Sequence, residues 1–146
     1  MRSMRAIVRS AALIGLTAAL ACADAHDDVM EVVTSMAAAL TEVNVPKFME
    51  GISKDMADYE TIENNVTALV RQAEVTSSIQ PINESGDDQM RSINLDWSLE
   101  VRSLEQDGPI VRRRQVIHCD LRKDKKHWKI VAWKPLDFLA PAKLGQ

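Results

Sequence analysis

The chain has 146 residues, is 46% hydrophobic and carries a net charge of −3. That length supports a single core-bearing domain beyond a short leader, and an acidic balance without a basic stripe excludes the usual electrostatic basis for holding nucleic acid or anionic lipid. Its two cysteines, Cys22 and Cys119, allow at most one disulfide, so packing must hold the fold.

The first segment reads as a targeting leader. Arg2, Arg5 and Arg9 make a basic start, an uncharged apolar run of about a dozen residues follows, and Ala21, Ala23 and Ala25 offer small residues for cleavage. The run is well short of the roughly 20 residues that span a bilayer. The chain is therefore expected to be exported, to a bacterial periplasm or the medium, with residues 1–25 as signal peptide, 26–141 as one domain and 142–146 as a tail. Ala19-Leu20-Ala21-Cys22 loosely resembles a bacterial lipobox, which would instead leave Cys22 lipidated and the domain anchored to a membrane. Cleavage after Ala23 or Ala25 is the simpler of the two readings, and it would leave Cys119 as the lone cysteine.

Three amphipathic helices come next. Val29, Val32, Val33, Met36 and Leu40 recur at three- and four-residue steps, with Asp27, Asp28 and Glu31 in the first turn, where carboxylates suit the helix dipole. Asn44 and Pro46 restart the chain into a short helix carrying Phe48, Met49 and Ile52, halted near 51–53. A third helix over about 58–72 places Tyr59, Ile62, Val66, Leu69 and Val70 on one face.

The period then changes. Ile93, Leu95, Trp97, Leu99 and Val101 alternate with polar residues, the pattern of a half-buried strand. The turn-rich patches NESGDD, EQDGP and KDKK divide this half into four stretches that should pair in chain order as an antiparallel meander. Folding on EQDGP sets Leu95, Trp97, Leu99 and Val101 opposite Cys119, Ile117, Gln115 and Arg113. A two-residue turn at Asp124-Lys125 sets Leu121, Cys119 and Ile117 opposite Trp128, Ile130 and Ala132. In that register Val131 and Trp133 fall on the opposite face, beside Val116 and His118.

Helices followed by a meander with one face to cover make an α+β fold, with N-terminal helices packed on a curved four-stranded antiparallel sheet in a cone-like two-layer sandwich. This order, with the ending Trp128-Lys129-Ile130 and Leu136-Asp137-Phe138-Leu139-Ala140-Pro141, resembles the nuclear transport factor 2-like superfamily, which includes SnoaL-like and ketosteroid-isomerase-like domains, over about residues 26–141. One departure is that such domains often place a strand between the second and third helices, where KDMADYE reads as helical or irregular. The resemblance implies a ligand pocket on the concave face and, in many members, a dimer through the convex one.

On that basis Arg113 and Gln115 are the candidate polar floor of a pocket for a small apolar or anionic ligand, walled by Tyr59, Trp97 and Trp128. A solvated sheet end, in line with the run Arg112 to Arg114, is the competing reading. Trp133, Val131 and Val116 are the candidate face for a homodimer or a protein partner. A ketosteroid-isomerase- or cyclase-like enzyme is the alternative function. It would need inward-facing acids, and only Asp55 or Asp58 could supply them beside Tyr59, so the domain is expected to be non-catalytic. His26, His118 and His127 share no ligand spacing, and neither metal nor cofactor is expected. Cys119 reads as a small core hydrophobe.

Overall fold

A computed structural model describes residues 23–144. The leader apart from 23–25, Cys22 and the last two residues lie outside it. Helix α1 runs over 23–41, so the boundary drawn at 26 from the sequence lies within this helix, and Ala25 is already part of the core. Val29, Val33, Met36, Ala37 and Leu40 form its buried stripe. The chain then turns through Val43, an exposed residue held at φ 57, and the amide of Asn44 donates to the carbonyl of Ala39 (2.9 Å) to close the helix end.

Asn44 caps α2 (Val45–Met49) as its side chain accepts from the Lys47 amide at 3.1 Å, with Pro46 in the first turn. Gly51 follows where α1 passes so closely that any Cβ would collide with the side chain of Met36. Helix α3 (Tyr59–Gln72) buries Ile62, Val66, Leu69 and Val70, then opens directly into the sheet at Ala73.

The sheet is an antiparallel meander in the order β1 (Ala73–Gly86), β2 (Met90–Ser103), β3 (Ile110–Asp124) and β4 (His127–Lys134), followed by the one-turn 3-10 helix Leu136–Leu139. The segment between α2 and α3 adds to it. Ile52 makes a one-residue parallel bridge with Ile130, through Ile130 N to Gly51 O (2.7 Å) and Ser53 N to Ile130 O (2.8 Å). A vestige of the interposed strand is thus present just before KDMADYE, and it covers part of the β4 edge. At the other edge the Ser77 amide donates to Thr41 Oγ1 of α1 at 3.1 Å. Pro81, in the same outward-facing phase as Ser77, costs no ladder bond there.

The pairings keep one part of the expected register and overturn another. Leu95 pairs with Ile117, Trp97 with Gln115 and Leu99 with Arg113, two residues from the expected alignment. A slip of two preserves the faces. Between β3 and β4 the turn lies one residue later than expected, and a bulge follows it. Lys123 pairs with Trp128 and Leu121 with Ile130, but Asp120 pairs with Ala132 and Cys119 with Trp133, leaving Val131 as the extra residue. That single residue returns Trp133 to the inner face.

Candidate functional site

The inner face of the sheet, where the pocket was expected, is filled by the protein's own side chains. Ile93, Leu95, Trp97, Ile117, Cys119, Leu121 and Ile130 have no exposed surface, and the helices and tail add Phe48, Met36 and Phe138 above them. Trp97 lies at the centre, with ring centroids 5.2 Å from Trp133 and 6.3 Å from Phe138, and Phe48 is 6.3 Å from Trp133. These are tilted and edge-on contacts that add to the burial each ring contributes. Trp97 Nε1 donates to Ser77 Oγ at 2.8 Å and Trp133 Nε1 to Pro135 O at 3.1 Å, so both indoles are satisfied in the dry interior.

The five proposed pocket residues therefore separate. Trp97 belongs to the core. Gln115 is exposed, and Tyr59 is half-buried at the start of α3. Arg113 does turn inward, but its guanidinium donates from Nη1 to the carbonyls of Phe138 and Ala140 (2.8 Å to the latter), so it clamps the tail where β4 has ended. Burial pushes its pKa below the ordinary arginine value, with Asp137 nearby opposing that shift. An arginine held by two main-chain oxygens is not a free anion receptor. Trp133, placed on the dimer face from the sequence, is 2% exposed and buried against Trp97 and Phe48 because the bulge reverses the phase of the strand. Val116 is 54% exposed on the outer face and Val131 is half-buried at the bulge, without the aromatic that was to join them into an apolar patch.

The outer face is instead a polar network. Arg114 grips Asp96 with two donors, at 3.0 and 2.6 Å, and holds the carboxyl below its ordinary range. His118 lies between Asn94 Oδ1 (2.8 Å) and Asp120 Oδ1 (3.0 Å), and Ser92 Oγ donates to the same Asp120 oxygen at 2.5 Å. Because Ser92 bonds to Asp120 and not to His118, these three do not form a nucleophile–base relay. Cys119 is fully buried, and desolvation raises its thiol pKa far above the ordinary value, as expected of a core residue. No group of three or more metal-ligating side chains converges among the described residues.

The fifth residue, Trp128, leads to a different space. It forms part of the wall of an open cleft of about 370 Å³ between α1, the α2 end and the start of β4. Asp28, Glu31, Val32, Ser35 and Met36 enter it from one stripe of α1, Lys47, Glu50 and Gly51 from the α2 region, and Lys126, His127 and Lys129 from the β3–β4 turn and β4. Trp128 is 3% exposed, and its indole Nε1 is the buried side-chain polar atom without a hydrogen-bond partner among the described residues. Such a group is costly unless something answers it. The sequence reading missed this cleft. Its only sign was that Asp28, Glu31 and Ser35 flank the buried stripe at helical spacing, while KDKK was read solely as a turn.

No protein-family model matches the chain and no curated protein matches it in sequence. Solved structures do match its fold. An NTF2-like protein with a cystatin-like fold from Novosphingobium aromaticivorans superposes with a TM-score of 0.66 at 11% identity, over 83% of this chain and 86% of that one. A scytalone dehydratase candidate from the same organism gives 0.64 at 7% identity, over 74% and 80%. A hexachlorocyclohexane dehydrochlorinase of type 2 gives 0.64 at 8% identity, over 78% and 85%. The chain has the nuclear transport factor 2-like fold. Because a dehydrochlorinase shares that fold, the expectation of a non-catalytic domain does not stand. That expectation rested on an absence of inward acids on the strands, but β1 turns Glu84 inward against Arg91 and His26, and lacking one kind of site does not exclude catalysis on this scaffold.

Proposed function

We propose that this chain is an exported domain of the nuclear transport factor 2-like fold that takes a small molecule in the cleft between α1, α2 and the start of β4. The observation that carries the site is the open cleft beside Trp128, a wall residue whose buried indole N–H has no partner among the described residues, in a molecule whose concave face is already packed. A cleft of this volume lies within the ordinary range for small-molecule sites, and half-buried Val32, with the nearly covered Met36 and Trp128 behind it, gives it an apolar side. Export is supported by the basic, apolar and small-residue succession of residues 1–25.

Titration of 15N-labelled protein with a library of small acids, amines and zwitterions tests the site. Binders should move the indole resonance of Trp128 and the amides around Ser35 and His127, leaving the indoles of Trp97 and Trp133 in place. If every binder moves a different set, or none binds, the cleft is not the ligand site. Product analysis of the same samples reads out turnover. Intact mass of the protein recovered from its native host should show an N-terminus following Ala23 or Ala25, or a triacylated Cys22; a retained Met1 would rule out processing.

A further inference from the structure

The walls of the cleft carry opposite charges that do not neutralise each other. Helix α1 contributes Asp28 and Glu31, both exposed, and the β3–β4 turn contributes Lys126 and His127, also exposed. Among the described residues none of Asp28, Glu31 and Lys126 is in an ion pair within 4.0 Å, whereas Lys47 is taken by Glu42 (3.2 Å) and the Lys129 ammonium by the main-chain carbonyl of Glu50. The apolar part of the lining is half-buried Val32, with the nearly covered Met36 and Trp128 behind it.

We infer that the cleft selects a dipolar small molecule, with a cationic end for Asp28 and Glu31, an anionic end for Lys126 with His127, and an apolar or aromatic body against Val32 beside Trp128. The inference rests on the cleft being the ligand site. A simple anion entering it meets two carboxylates, and a simple amine meets the lysine wall. Each therefore gains one attraction and suffers one repulsion. A molecule carrying both charges gains twice.

Three matched probes separate the possibilities at pH 7, where amines and carboxylates are both charged. They are L-phenylalanine, 3-phenylpropanoate and 2-phenylethylamine, followed by calorimetry and by the Trp128 indole resonance. L-phenylalanine should bind about tenfold or more tightly than either single-ended probe. The double substitution Asp28→Asn, Glu31→Gln should reduce it to the level of 3-phenylpropanoate, and Lys126→Met to that of 2-phenylethylamine. All three positions are exposed, so matching amide spectra will show that the variants fold. If a single-ended probe binds as tightly as L-phenylalanine, or if the charge variants bind it unchanged, dipolar selection is overturned while the cleft remains a site. If none of the three probes binds, dipolar selection with an aromatic body is likewise overturned. The cleft itself falls only if the wider library also leaves the Trp128 indole unmoved.

Discussion

On the inner face of the sheet Leu95, Trp97 and Leu99 are sealed beneath the helices; one residue out of step along the same strand, Asn94 and Asp96 hold His118 and Arg114 in water. Both faces contain ion pairs, and the contrast between those pairs is instructive. A bulge at Pro81/Asn83 pairs Glu84 with Ile93 and so brings it inward, where it bonds Arg91 with both side chains about nine-tenths buried, while His26 of α1 reaches the same carboxylate at 2.8 Å. Asp96 and Arg114 form a pair of equally good geometry at 24% and 74% exposure. Solvent decides what each is worth. An exposed pair is screened and its partners are readily rehydrated, whereas removing one member of a buried pair strands the other.

Substitutions on the two faces should spread accordingly. The largest losses are expected at the aromatic centre, where Trp97→Ala and Trp133→Ala should each cost about 3–5 kcal/mol in denaturant unfolding, through lost transfer energy and an unfilled cavity. A loss at Trp133 much smaller than at Trp97 would show that β4 does not carry its bulge. Next comes the inner ion pair: Arg91→Met should cost about 3 kcal/mol, because Glu84 is left buried with only His26 beside it. An unfolding midpoint unchanged by that substitution would place the pair in solvent and remove the contrast between the faces.

Arg113→Met should be milder, about 1.5–3 kcal/mol, the range for hydrogen bonds made by a charged donor. Its signature is local: hydrogen exchange should quicken over the tail around Phe138 to Ala140 before the rest of the domain loosens. Uniform loosening would mean that Arg113 is not a clamp.

The smallest effect is expected at Asp96→Asn and should appear mainly in its pH dependence. The Arg114 hydrogen bonds, with their charge, lower the Asp96 pKa from its ordinary 3.8, so the ionised carboxylate is favoured in the folded state. The contribution is complete above about pH 4 to 5 and is lost as pH falls through the lowered value, because only the unfolded chain takes up the proton first. Asp96→Asn should lower neutral-pH stability slightly, leave the acid end unchanged and so flatten that limb. A large loss at pH 7 would contradict the exposure of the pair.

Much of the fold is written locally. The stripe of α1, the alternation of β2 and the turn patches are properties of neighbouring residues, so the element order and the face of β2, at period two, follow from them. Even a two-residue error in pairing β2 with β3 leaves the faces unchanged. The β4 phase carried a signal that was misread. Trp128 and Ile130 keep step, and Trp133 then comes three residues on, the spacing of a one-residue bulge between two inward positions. The role of Arg113 had no local signal, since its partners lie 25 and 27 residues later.

By itself, the sequence determined which residues would seek the interior over much of the chain: the apolar stripes of three helices and the inward sets of β2, β3 and the start of β4, with Trp97, Trp128 and Cys119 among them. Only the tertiary structure decided how that interior would be filled. Two tryptophans and two phenylalanines from distant segments meet over the sheet and close the concavity, and α1 comes down on Gly51 so that an open space remains beside Trp128. Hydrophobicity is a property of single residues, but a cavity is the volume left over after all of them have packed.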